Sequence, residues 1–119
     1  MTKITNEESV KILLELKQKY QKELDKKVDT IITLLSKQIR DNLQVSNNVT
    51  SKGFSSINDR QLFLIEQRPD NETEAQVFRK IIQAVELDFK KNGFSVTVNF
   101  FNSVGMGYEG KITITVQLK

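Results

Sequence analysis

The N-terminal third of the chain carries one uninterrupted helical pattern, and no other feature constrains the fold as strongly. Residues 5–42 contain no glycine and no proline. Thr5 and Glu8 have the spacing of a capping box at the helix start. Large apolar side chains recur at steps of three or four residues, which places them on one stripe of a helix. These residues are Leu13, Leu16, Tyr20, Leu24, Val28, Ile31, Leu35 and Ile39.

The length of this helix is a geometric problem for a chain of 119 residues. A helix of about 37 residues is roughly 55 Å long, whereas a compact globule of this size is about 35 Å across. Part of the helix must therefore project, bend, or lie on another subunit. We predict that it forms an interface between subunits, with a two-fold dimer as the favoured assembly. The predicted interface residues are Leu24, Val28, Ile31 and Leu35. A bend that folds the helix over its own sheet is the alternative.

The remainder of the chain, residues 46–119, has the pattern of a compact α+β unit. Residues 72–91 repeat the helical spacing, and Asn92-Gly93 supplies a left-handed stop. Residues 94–101 and 111–118 alternate apolar with polar side chains, and their short connection predicts an antiparallel hairpin.

Two shorter segments complete the predicted architecture. The apolar run at residues 62–65 predicts a buried strand, and residues 45–58 predict a connector with at most a short strand near Phe54. The sequence therefore predicts one α+β domain over residues 1–119. A long helix (1–45) precedes a small antiparallel sheet of about three strands, and this sheet packs on a second amphipathic helix.

Composition removes most routes to catalysis. The chain contains no cysteine and no histidine, so it lacks thiolate nucleophiles, disulfides and the commonest transition-metal ligand. The carboxylate pairs Glu72 with Glu74 and Glu86 with Asp88 are two residues apart on a helix and diverge. We expect no enzymatic activity, no cofactor and no metal. With no long apolar run and a polar N-terminus, we also expect a cytoplasmic protein without a membrane partner.

A glycine-rich segment joins the two predicted hairpin strands, and residues 105–110 match the GxGxxG pattern. Dinucleotide-binding loops of this type are followed by a helix, but here a strand follows, and a kinase-type loop would need far more chain. We therefore favour a long hairpin loop with glycines at positive φ. If the loop binds a protein or a small anionic ligand, the contacts come from Gly105, Met106, Gly107, Tyr108 and Gly110.

Lysines are frequent in the middle of the long helix, where Lys19, Lys22 and Lys26 are candidate anion contacts. Acidic residues alternate with them at spacings that permit ion pairs four residues apart, so a solvated helix face is favoured over a nucleic-acid site. The net charge is only +3, and the polar sheet face lacks the aromatic rings on which bases stack.

The function expected from these patterns is that of a small regulatory or accessory protein without catalysis. It self-associates through its N-terminal helix and presents the Gly-rich loop or the sheet face to a partner. The alternative is a nucleic-acid-binding accessory protein that uses the lysine-bearing helix.

Overall fold

The computed structural model describes residues 3–45, 53, 55–57, 60–101 and 111–118. Its helices are α1 (Asn6–Val45), α2 (Glu74–Lys91) and a 3-10 helix (Arg60–Phe63); its strands are β1 (Ser55–Ile57), β2 (Phe94–Phe101) and β3 (Lys111–Leu118). The strands form one sheet in the order β1-β3-β2, and both pairings are antiparallel. The predicted α+β fold, with a long N-terminal helix and a small antiparallel sheet, is confirmed.

Helix α1 is much longer than the rest of the fold. It begins after Thr5, whose side-chain oxygen accepts a hydrogen bond from the Glu8 backbone N–H at 3.1 Å. At 1.5 Å per residue its 40 residues extend for about 60 Å. The principal extents of the molecule are 71 × 34 × 19 Å. From Tyr20 onward one face of α1 lies on the other elements, whereas nearly all side chains of residues 6–19 are exposed.

The second half of α1 is part of the core of its own chain. Leu24, Ile31 and Leu35 are buried together with residues of α2 and the sheet, and Val28 packs at the edge of this cluster. Their own chain already covers Leu24, Ile31 and Leu35 and partly covers Val28, so these residues leave little free surface for the predicted interface between subunits. The sequence shows one continuous stripe and does not show which part of it the sheet and α2 reach.

The apolar run at residues 62–65 is not a strand. Its start belongs to the 3-10 helix Arg60–Phe63, and strand β3 already has β1 on one side and β2 on the other. Phe63 is fully buried, with its ring centre 6.0 Å from that of Phe78. The run thus contributes Phe63 to the core but does not join the sheet. The third strand is β1, which lies in the predicted connector, next to Phe54, where a short strand is predicted.

Helix α2 and the hairpin follow the sequence prediction closely. A capping box between Thr73 and Gln76 starts the helix two residues later than predicted, and Gly93 ends it with φ of 89°. In the sheet, Val96 pairs with Val116 and both sit on the core face. Val98 and Ile114 lie on the same face, so these apolar positions of the alternating pattern pack on the core.

Strand β1 is held against the C-terminal half of α1. The Ser56 backbone N–H donates to the Gln38 side-chain oxygen at 3.0 Å. Gly53, at φ of 61°, is buried so closely that an added Cβ would lie 3.0 Å from side-chain atoms of both Ile39 and Leu43. A glycine is therefore required here for both its backbone conformation and its size.

Candidate interaction surface

The first turns of α1 expose an unusual amount of apolar surface. We call residues 4–19 the N-terminal segment. Its large apolar side chains are each between 48% and 63% exposed; they are Ile4, Val10, Ile12, Leu13, Leu14 and Leu16. Single exposed apolar residues are common on monomers, but a contiguous group of this kind is typical of an interaction site.

The exposed group continues the core stripe of the same helix. Leu13, Leu16, Tyr20 and Leu24 follow one another at steps of three and four residues, so they share one face. Leu24 is buried, Tyr20 is half-buried, and the two leucines are exposed. One apolar face therefore begins in the core and runs out into solvent, where no described element of this chain covers it.

A polar cluster ties α1 to the start of α2 at the point where this face leaves the core. The Tyr20 hydroxyl and the Lys80 ammonium each donate a hydrogen bond to the Glu72 carboxylate. The Lys80 nitrogen also lies 5.6 Å from the centre of the Tyr20 ring. Arg68 donates to the Glu72 backbone carbonyl at 2.6 Å. These contacts fix the angle at which α1 leaves the body.

The electrostatics of this cluster favour the ordinary ionisation states. Hydrogen bonds from Lys80 and Tyr20 lower the pKa of Glu72. The bond to Glu72 raises the pKa of Lys80, and burial, followed by the bond to Glu72, raises the pKa of Tyr20. These shifts favour a negatively charged Glu72 between Lys80 and Tyr20, an arrangement suited to holding two helices together.

A groove runs beside the polar cluster, between α1 and the chain that leads into α2. The Glu66 backbone N–H donates to the Glu23 carboxylate at 2.8 Å and anchors this chain to the helix. The groove has a volume of about 810 Å³ and is lined by residues 66–71 and by Leu13, Leu16, Lys17 and Tyr20. The exposed leucines thus continue directly into a concave surface.

A second groove lies further along α1, and we call it the lysine groove. One wall carries Lys19, Lys22, Lys26 and Lys27, the other carries Leu62, Leu64 and Ile65, and its volume is about 610 Å³. The predicted pairing of these lysines with acids on the same helix does not form. Glu23 instead accepts the Glu66 N–H, and Asp25 accepts from Gln21 at 2.9 Å. Among the described residues, no ion pair engages the side chains of Lys19, Lys22 or Lys26.

The other predicted site lies on the hairpin. Gly105, Met106, Gly107, Tyr108 and Gly110 fall in residues 102–110, outside the described residues. The sheet face that points away from the core is polar, with Thr97 and Asn99 exposed and Thr115 half-buried. This face lies on the same hairpin as the predicted loop contacts.

Sequence reasoning missed two parts of the surface. The polar cluster joins Tyr20 to Glu72 and Lys80, which are more than fifty residues away along the chain, and no local pattern connects them. The exposed leucines could have been predicted from a change in composition along the helix. Residues 10–16 are rich in apolar side chains, whereas residues 17–27 contain many lysines and only two large apolar residues, Tyr20 and Leu24.

Comparison of the chain with protein-family models, curated proteins and solved structures finds no match in any of the three. Within the described ranges, no helix has a stretch apolar enough to cross a bilayer. The same ranges contain no group of three acidic side chains close enough together to hold a metal ion. The surfaces described above are therefore the basis for a functional proposal.

Proposed function

We propose that this chain is a non-enzymatic interaction protein that self-associates through the N-terminal segment of α1. The observation that carries the proposal is the apolar face that leaves the core at Tyr20 and continues in solvent through Leu16 and Leu13. Exposing this much apolar surface to water is unfavourable in free energy, and a partner that covers the surface removes this penalty.

The energetics favour a second copy as the simplest partner. Full burial of a leucine or isoleucine side chain contributes about 1.5 to 3 kcal/mol, and association costs about 4 to 15 kcal/mol in lost freedom and ordering. In a two-fold dimer each subunit contributes the same apolar group, so the gain is doubled and becomes comparable to that cost. The proposed interface therefore lies on the exposed N-terminal segment of α1, whereas the sequence predicts it at residues 24–35 of the same helix.

The polar sheet face and the Gly-rich loop form the second part of the proposal. Thr97 and Asn99 present exposed hydrogen-bonding groups on a strand that leads into the loop. Dimerisation would give the protein two copies of this face, which suits a regulatory or accessory protein that acts in the cytoplasm. The partner of this sheet face and loop is a protein or a small anionic ligand.

Sedimentation velocity from about 1 to 100 µM tests the self-association. We expect the wild-type protein to show twice the 13.7 kDa mass of one chain. The double variant Ile12→Asp with Leu16→Asp should sediment as a monomer. Leu87→Asp is the matched control, because Leu87 is 69% exposed on α2, far along the chain from the N-terminal segment. A monomeric wild-type protein over the whole range would overturn the proposal.

The lysine groove supports a second candidate, binding of nucleic acid. Lys19, Lys22 and Lys26 are exposed and form no ion pair with another described residue, so they are available for phosphates. Fluorescence anisotropy with single-stranded and duplex oligonucleotides tests this function. Binding should weaken steeply with salt because phosphate contacts release counterions, and changing the three lysines to alanine should reduce the slope. An affinity that does not change with salt would exclude this mode.

A further inference from the structure

The exposed face of α1 has an acidic half and a basic half. Glu8, Glu15, Lys19 and Lys26 follow one another at steps of seven, four and seven residues, so they lie on one stripe. All four side chains are exposed. The two acids lie in the N-terminal segment, and the two lysines belong to the lysine groove. A parallel pair of such helices would place like charges together, whereas an antiparallel pair places opposite charges together.

We propose that two copies of α1 pair antiparallel about Lys17, so that the N-terminal segment of each subunit occupies the lysine groove of the other. This geometry rests on the self-association proposed above and specifies its register. Of the exposed apolar residues, Ile12 and Leu16 lie beside the charged stripe and enter the pairing, whereas Leu13 lies on the far side of the helix from it. Residues opposite each other then have numbers that add up to 34. Glu8 lies level with Lys26 of the second copy, and Glu15 lies level with its Lys19. The two-fold axis generates each contact twice.

Registers close to this one hold fewer attractive pairs, and some hold unfavourable ones. A shift by one residue that places Glu8 level with Lys27 keeps that attractive pair alone, whereas a shift by one residue the opposite way brings Glu8 level with Asp25 and Lys11 level with Lys22. A shift by three residues in the other direction brings Glu8 level with Asp29 and Lys11 level with Lys26. Like charges that face each other are destabilising, so the charge pattern selects one register over its neighbours.

The shape of the groove agrees with this occupant. The pairing brings Ile12 of the second copy level with Lys22, one position from Glu23, whose carboxylate holds the Glu66 backbone N–H. Ile65 precedes Glu66 and is half-buried in the opposite wall. An exposed isoleucine is therefore brought to an apolar wall that already borders the core.

The pairing is tested by two charge-reversed variants that should bind each other and not themselves. One carries Glu8→Lys with Glu15→Lys, and the other carries Lys19→Glu with Lys26→Glu. Each homodimer would hold four like-charge contacts, and since exposed pairs contribute about 0.2 to 1 kcal/mol, its affinity should fall roughly 100-fold. An equimolar mixture restores all four attractive pairs. Native mass spectrometry of one tagged and one untagged variant at low salt distinguishes heterodimer from homodimer.

The matched control is Lys37→Glu with Arg40→Glu. Both residues are exposed on α1 and carry the same change of charge, but the pairing places no described residue of the second copy opposite them. This control should dimerise like the wild-type protein. Circular dichroism checks that every variant keeps its helix content.

A heterodimer with wild-type affinity, from two variants that are each monomeric, would support the pairing. Unchanged homodimers of both variants would overturn the register while leaving self-association through the apolar segment intact. A monomeric mixture of folded variants would also overturn it, and a monomeric wild-type protein would overturn both proposals. An oligonucleotide that binds the monomer and not Lys19→Glu with Lys26→Glu would assign the groove to nucleic acid instead.

Discussion

Truncation of Leu35 to alanine distinguishes a core within one chain from an interface between subunits. Leu35 is 0% exposed among residues of its own chain. Leu→Ala at such a site removes the side chain's transfer energy and leaves a cavity, at a cost of about 2 to 5 kcal/mol. Domains of this size are stable by about 5 to 15 kcal/mol in total. With a urea dependence of about 2 kcal/mol per molar, the unfolding midpoint should fall by about 1 to 2.5 M.

The assay is urea unfolding followed by circular dichroism at protein concentrations of about 1 and 100 µM. Because the cavity forms within one chain, the difference in unfolding free energy between wild type and Leu35→Ala should be the same at both concentrations. Leu16→Ala is the counterpart on the exposed part of the same stripe. It should cost under about 0.5 kcal/mol at low concentration and more at high concentration, where the proposed dimer contributes.

A Leu35→Ala loss below about 1 kcal/mol, or one that grows with protein concentration, would refute this reasoning. The first result would mean that Leu35 is not packed as described. The second would return Leu35 to the interface that the sequence suggested.

Three further predictions concern the elements that hold the fold. Gly53→Ala should cost clearly more than Gly93→Ala in thermal unfolding, because both have positive φ but only the first would push a Cβ into neighbouring side chains; equal losses would contradict the tight packing. Thr73→Ala should cost about 1 kcal/mol in urea unfolding through loss of the α2 cap, and no loss would show that the cap is dispensable. The lowered pKa of Glu72 stabilises the fold above its unfolded value near 4.5, and this contribution is lost as the pH falls through the folded pKa. Glu72→Gln should therefore show a smaller drop in unfolding temperature between pH 6 and pH 3 than wild type. An unchanged drop would show that the ionisation of Glu72 does not contribute to the pH dependence of stability.

Much of the fold followed from periodicity, and the failures have physical causes. α2 and the hairpin have short-range patterns with clear stops, and Gly93 ends the helix as its sequence indicates. The strand prediction for residues 62–65 was wrong because an apolar tetrapeptide fits a strand and a buried turn equally well. The sequence indicated a short strand near Phe54 but not its place in the sheet, because the three residues of β1, two of them serine, carry no period, and Val116, which pairs with Ser55, lies 61 residues further along the chain.

The sequence predicted less of the candidate site than of the fold. Periodicity identified one apolar stripe on α1 but not the position where the body of the protein stops covering it. That position depends on Tyr20 and its contacts with Glu72 and Lys80, which only tertiary structure brings together. The lysines were expected to pair along the helix, but chain segments folded against α1 engage Glu23 instead.

The described residues offer the N-terminal segment no route to burial. To fold back, α1 would have to break between residues 16 and 20, and this stretch consists of Leu, Lys, Gln, Lys and Tyr without glycine or proline. Sharp kinks arise at proline, at glycine or serine pairs, or at bulges, and strong helix formers resist them. A break would also sacrifice several backbone hydrogen bonds and the link between Tyr20 and Glu72. No described residue therefore covers the apolar face beyond Tyr20, and this exposed face is the observation on which the proposed self-association rests.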